Sequence, residues 1–339
     1  MENCTDRVSS HVRESGDSKK TEPDGPDSLF QPHDEHAAMH PEMALNGLPQ
    51  SGTVFNLSHS KDQPAARNVV KIRPVSQESW LDFSELWQYR DLLFSLASRD
   101  LKLRYRQTAL GILWVVFQPV AGAGIFSIVF GWVAGLGSEK SSYFLFSLAG
   151  LLVWNVFQSS LAKASTALVG NAALVSKVYF PRLLLPFSTV LSSLVDFAIG
   201  LGVFFVAAFV LKAPFFWVGA LLLPVWLAGA LAAAMGLGLL AAAVMTRYRD
   251  VQHVLPVLLP FIMYASPVAY ALGAVPSQWK GLFYWNPMSW ILEGTRYSLL
   301  GTDPVQLSWA LYALVSCGLI FVVGLVGFRK MERSFADVL

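Results

Sequence analysis

Hydrophobic and polar positions divide this chain into unlike parts. From Met1 to Arg67 no apolar periodicity is sustained, and Ser, Pro, Asp, Glu, His and Gly dominate. Such a segment buries too little apolar surface to offset its ordering entropy, so a disordered tail is expected over residues 1–75. From Trp80 the pattern changes: Phe83, Leu86, Trp87, Leu93, Phe94, Ala97 and Leu101 recur at helical spacing, with Asp82, Glu85, Asp91 and Asp100 elsewhere around the helix. The Trp/Phe/Leu face predicts an amphipathic helix in the plane of a membrane interface, within residues 76–108.

Six long apolar stretches follow, within residues 109–330. They run from Leu110 to Leu136, Tyr143 to about Leu161, Leu183 to Leu211, Phe215 to Met245, Val254 to Leu272 and Leu307 to Phe328. Each reaches or approaches the ~20 residues that a helix needs to cross a hydrocarbon core. Pro119 predicts a kink in the first. A seventh stretch, Leu282 to Leu300, carries Glu293 and Arg296 and reads as a re-entrant or interfacial element. The expected fold is therefore an all-α integral membrane protein of six spans. Ala and Gly crowd the fourth, including Gly236 and Gly238, which lets helix backbones approach closely.

Charge supplies the orientation. Arg99, Lys102, Arg104 and Arg106 lead straight into the first span, with Lys163, Lys177, Arg182, Arg247, Arg249, Arg329, Lys330 and Arg333 on the same side. The opposite loops hold Lys140, Lys212, Lys280 and Arg296. Twelve basic residues against four mark the first side as cytoplasmic, and both termini, including residues 331–339, with it. Only 14% of residues are charged and the mean hydropathy is +0.47, as expected of a multi-pass membrane protein. The net charge of +2 conceals an acidic first part, with six Lys/Arg against eleven Asp/Glu in residues 1–68, and a basic remainder. The basic groups flank membrane segments, so they suit lipid headgroups and not nucleic acid.

Catalytic chemistry finds no footing. There is no GxxxxGK[ST] phosphate loop, so ATP has no cradle in this chain. The only histidine outside the tail is His253, which rules out a Ser/His/Asp set. His36 and His40 have the spacing of half a zinc site but lack the accompanying Glu and a helix, so no metal is expected. Cys4 and Cys317 offer neither a disulfide framework nor metal-ligand spacing. The tail has no charged segment leading into an apolar core, so it does not read as a secretory signal. Asp196 is the one formal charge expected deep inside a span. It either binds a coupling ion or, as we expect, hydrogen-bonds a neighbouring helix near Ser192 or Ser193.

Two connections carry the functional signal. The inner NAALVSKVYFPR, Asn171 to Arg182, presents Tyr179 and Phe180 between Lys177 and Arg182, a combination suited to docking a soluble partner. The outer segment holds Trp279, Phe283, Tyr284, Trp285, Trp290 and Tyr297 beside Glu293 and Arg296. Part of it is the aromatic belt of a membrane surface. Its density also suits an exit gate for a sugar-bearing cargo, because aromatic faces stack on the C–H faces of sugars.

Four ordered motifs, RDLKLRYRQTALGILW, NAALVSKVYFPRLLLP, SPVAY at Ser266 to Tyr270 and NPMSWILEGTRYSLLG at Asn286 to Gly301, resemble the ABC-2 type permeases that export polysaccharides. O-antigen, capsule and teichoic acid exporters are of this kind. The resemblance covers about Trp80 to Arg333; the tail departs from the family pattern. It implies six spans per subunit in the bacterial inner membrane, a homodimer forming a conduit for a lipid-linked glycan, and a separate ATPase subunit that binds ATP and Mg. It further implies that Lys177, Tyr179, Phe180 and Arg182 meet that ATPase, with Arg99 and Arg104 nearby. Trp279, Tyr284, Trp285, Trp290, Glu293 and Arg296 would belong to the translocation path or outer gate.

Three other classes compete. A small lipophilic cargo fits the same permease type. An ion-coupled secondary transporter predicts an inverted repeat and paired mid-span ionisable groups, where the sequence offers Asp196 and no evident repeat. A membrane-embedded transferase needs clustered His or carboxylates at one membrane face, and none is present.

Overall fold

The computed structural model describes residues 87–106, 113–135, 142–178, 180–214 and 216–332. The expected tail, Tyr179 and Arg333 lie outside them, as do the side chains of Arg104 and Arg106. Among the described residues the fold is helical, with no strand. Helix α1 is Arg90–Arg106, and α2 is Leu113–Phe126, continuing as a π-helical stretch over Ser127–Val133. Then come α3 (Tyr143–Gly170), α4 (Ala172–Lys177), α5 (Leu184–Val210), α6 (Trp217–Ala220) and α7 (Leu223–Arg247). The chain closes with α8 (Val251–Tyr264), α9 (Lys280–Trp285), α10 (Pro287–Leu300) and α11 (Leu307–Glu332).

Among the described residues, five helices are long and apolar enough to cross a membrane: Leu113–Val133, Tyr143–Gly170, Leu184–Val210, Trp217–Arg247 and Leu307–Glu332. The expected span from Val254 to Leu272 is not one helix. Helix α8 has 14 residues and stops at Tyr264, a length of about 21 Å, short of the ~30 Å core. Ser266 to Ala271 leaves the helical path: Pro256 and Pro260 already remove two donors within α8, and Pro267 withholds a third. The second span is longer than expected. Helix α3 runs on to Gly170, which places Lys163 well inside it.

Helices α3 and α7 form the centre, with α5, α10 and α11 around them. Small residues make that possible. Gly236 of α7 and Gly324 of α11 meet backbone to backbone, so a Cβ on Gly324 would overlap the Gly236 carbonyl. On the other side of α7, Gly238 lies against Ala164 and Leu161 of α3. Close backbone approach replaces the hydrophobic drive that lipid removes. Helix α1 lies against α5 through Leu96 and Ala97, while Trp87, Phe94 and Leu103 stay exposed.

The packing predicts an asymmetric response within α11. Gly324→Ala must push two backbones apart, an overpacking cost of about 1–3 kcal/mol, and should lower thermal stability in detergent and the amount of folded protein in membranes. Gly318→Ala, which meets open space, should leave both unchanged. Equal behaviour of the two variants would contradict the α7–α11 contact.

Candidate functional site

At the basic end of the bundle, three connections meet. Asn171 ends α3 and begins α4; its Nδ2 donates to the Ala167 carbonyl (2.9 Å), and its Oδ1 accepts from Arg99 Nη2 of α1 (2.6 Å). Arg182 Nη1 donates to the Glu332 carbonyl at the end of α11 (2.9 Å). Lys177 is exposed on α4. Arg99, Lys177 and Arg182, drawn from distant parts of the sequence, thus belong to one end of the bundle. Arg104 lies in α1, one turn beyond Arg99.

Phe180 departs from expectation. It is 6% exposed and joins a core of Leu96, Leu183, Leu184, Leu185, Leu325 and Phe328. It is not an outward anchor; it fixes the 171–182 connection to α1 and α11. The apolar character of this loop signalled burial as readily as docking, and a neighbouring helix was there to receive it.

Between the ends, Asp196 does bond a neighbouring helix, but its partner is a cation. Lys163 Nζ of α3 reaches both Asp196 Oδ2 (3.2 Å) and Ser192 Oγ (2.8 Å) of α5. The expectation of a lone mid-span charge is corrected, because the longer α3 carries Lys163 in beside it. The pair neutralises itself where an isolated carboxylate costs about 2.5–3.5 kcal/mol.

At the opposite end, the break after α8 and the start of α10 form one unit. Asn286 caps α10, its Oδ1 accepting from Met288 N (3.0 Å), with Pro287 supplying the pre-set first turn. Its Nδ2 donates to Ser266 Oγ (2.9 Å). Arg296, one face further along α10, is completely buried. Its Nη2 donates to the carbonyls of Pro267 and Val268, both at 2.7 Å. Its Nη1 donates to the Tyr270 carbonyl (3.3 Å) and to Glu293 Oε1 (3.2 Å). Glu293 also accepts from Leu272 N (2.9 Å). The guanidinium stands 3.8 Å from the Phe146 ring centroid of α3. The Tyr143 hydroxyl, on the same helix, donates to the Ala269 carbonyl.

The backbone groups that the broken helix leaves without helical partners are answered by a side-chain pair at i, i+3. Burying an arginine costs about 2.5–3.5 kcal/mol on insertion scales, and each hydrogen bond to a charged group returns about 1.5–3 kcal/mol. Four such bonds offset the burial. Gly150 of α3 makes room: a Cβ there would stand 2.8 Å from the Val268 carbonyl oxygen and 2.9 Å from Arg296 Nη2.

The aromatic residues divide in two. Trp290 is buried, donates from Nε1 to the Tyr284 carbonyl (2.9 Å), and stacks on Trp309 of α11 with centroids 4.9 Å apart and planes 10° from parallel. Tyr284, half-buried, meets both rings, and Trp285 touches Tyr312 edge-on while remaining 74% exposed. Trp279 is exposed as well. Sequence reasoning missed Trp309, Tyr312, Phe146 and Gly150, which lie on spans where nothing separates them from ordinary lipid-facing or packing residues. The Asn-Pro start and the Glu293/Arg296 spacing were readable as a capped helix with a paired charge. Their common target, the Ser266–Leu272 turn, was not. Among the described residues no group of His, Cys, Asp and Glu could hold a metal ion.

These elements lie within a recognised family. Residues 91–300 match the ABC-2 type transporter family. An O-antigen export system permease protein RfbA of Klebsiella pneumoniae is 28% identical over 253 residues, covering 74% of this chain and 95% of that protein. RfbA of Myxococcus xanthus is 32% identical over 194 residues, 57% of this chain and 74% of that one. The polysialic acid transport protein KpsM of Escherichia coli is 25% identical over 262 residues, 71% of this chain and 93% of that one. With the matched region running from α1 to the end of α10, the chain belongs to the ABC-2 type transporter family.

Proposed function

We propose that this chain is the membrane subunit of an ABC exporter that carries a lipid-linked, O-antigen-like polysaccharide across the bacterial inner membrane, with ATP hydrolysed by a separate subunit. The observation that carries this reading is similarity to O-antigen export and polysialic acid transport proteins over nearly their whole length. The absence of a phosphate loop from the sequence agrees with it. The subunit works as a homodimer around a glycan conduit. Removal of the gene should abolish surface polysaccharide and leave lipid-linked glycan inside the cell; an unchanged surface glycan with a retained lipophilic small molecule would favour the other cargo class.

We assign six crossings. Helix α7 ends in Arg247, and α11 ends in Arg329 and Lys330. Both basic ends belong inside, with the termini. The chain between them must therefore cross outward once before α11 returns, and α8 with its following turn makes that crossing. The 267–272 turn, α9 and α10 then lie towards the outer face.

The ATPase docks on the inner end. Since Phe180 is buried, the contact falls to the exposed Lys177 and the Arg99 and Arg182 region, with Tyr179 and Arg104 as further candidates. Two variants separate docking from support. Lys177→Glu should reduce co-purification of the ATPase while the permease inserts at its usual level. Phe180→Ala should lower the permease itself, at a cost of about 3–5 kcal/mol. Full ATPase binding by Lys177→Glu would remove α4 from the interface.

At the outer end we assign cargo contact to Trp279, Trp285 and the half-buried Tyr284, and support to Trp290, Glu293 and Arg296. Replacing Trp279 and Trp285 by Ala should reduce export per assembled complex without changing the amount of complex. Trp290→Ala should reduce the amount of complex, losing about 3–5 kcal/mol of buried aromatic packing. Normal export by the Trp279/Trp285 double variant would return both to the interfacial belt.

A further inference from the structure

We propose that Glu293 and Arg296 are positioning residues for transport, holding the Tyr270 ring as the abutment on which α9 and the outer end of the first span bear. This rests on the export reading above, and names how its outer end is kept in shape.

Three observations lead there. The first is engagement: both terminal nitrogens of Arg296 are taken up by the Pro267, Val268 and Tyr270 carbonyls and by Glu293, while its buried Nε has no partner. A completely buried guanidinium so engaged has no donor to offer an anionic cargo from its terminal nitrogens. The second is what the pair grips. The turn has lost its helical partners, and Arg296 and Glu293 bracket Tyr270 by holding its own carbonyl and the Leu272 amide. The third is where Tyr270 stands. Its hydroxyl donates back to the Tyr264 carbonyl (2.8 Å), pinning the ring across the break. The ring then meets Phe283 of α9 edge-on at 6.1 Å and Phe130 of the π-helical stretch at 6.5 Å.

Helix α9 has few inward anchors. Trp279, Leu282 and Trp285 are exposed. The short helix is held by Phe283 on Tyr270, Tyr284 on Trp290 and Trp309, and Trp285 on Tyr312. Two of these contacts run to α10 and α11, which are regular, well-packed helices. The third runs to an irregular turn whose shape depends on the Glu293–Arg296 pair. Weakening the pair therefore displaces one anchor of α9 and leaves the others, and so alters the placement of the exposed tryptophans without unfolding the bundle.

The test uses the full-length chain assembled with its ATPase subunit, in wild-type, Glu293→Gln, Tyr270→Ala and doubly substituted forms. Hydrogen exchange is followed by mass spectrometry, and surface glycan is measured per assembled complex. In Glu293→Gln, amide exchange over residues 266–274 should accelerate about tenfold or more, as loss of a charge-assisted bond implies, with α3, α7 and α11 unaltered. Export per complex should fall several-fold. Tyr270→Ala should lower export similarly, and the double variant should be no worse than the poorer single one, because both act through one ring. Should Glu293→Gln fail to assemble, Tyr143→Phe removes one bond to the same turn and should give smaller changes in the same direction.

Accelerated exchange with undiminished export per complex would overturn the proposal. So would lost export with unaltered exchange, which is the behaviour of a cargo contact, or losses that multiply in the double variant. If the wild-type complex itself exports no glycan, the export reading fails, and the exchange data still decide whether the pair holds the turn.

Discussion

A single guanidinium, buried without contact to solvent, sets the form of the end of the bundle that carries α9 and α10. Helix α8 stops at Tyr264, and the chain must still pass Pro267, Val268 and Tyr270 through a region where unpaired carbonyls are costly. Arg296 answers three of them, and Glu293 answers both Arg296 and the Leu272 amide. From this follow the room left at Gly150, the approach of Phe146, the bond from Asn286 to Ser266 and the place of Tyr270. Two sequence motifs separated by fifteen residues, SPVAY and NPMSWILEGTR, are one structural object.

The basic end follows a different rule. There the connection between α3 and α5 is fixed by burial of Phe180 and by Arg99 and Arg182, which tie it to α1 and to the end of α11. The small residues of α7 allow α11 to lie close along it. One end of α11 thus bonds the 171–182 connection, while its other end carries Trp309 against Trp290. The 171–182 connection is thus tied to well-packed helices.

Much of this was legible from the chain alone. Apolar run lengths located the five long helices, because a hydrocarbon core imposes a minimum length that little else does. The small-residue crowding of α7 announced close packing, which the Gly236–Gly324 contact bears out. Tertiary relations were less legible. Phe180 looked outward because a loop aromatic between two basic residues reads alike whether it docks or packs. Asp196 looked solitary because Lys163 was read as lying beyond a helix that in fact extends to Gly170. The partners of Glu293 and Arg296 in the Ser266–Leu272 turn were hidden because they are a backbone amide and backbone carbonyls, which carry no mark in a sequence.

The most direct measurement is an experimental density map of the assembled exporter at a resolution that defines side chains around Arg296. The account predicts that α8 ends at Tyr264, that the guanidinium lies within hydrogen-bonding distance of the Pro267 and Val268 carbonyls, and that Glu293 bridges it to the Leu272 amide. A continuous helix through Leu272, with Arg296 turned into an open path between subunits, would contradict it.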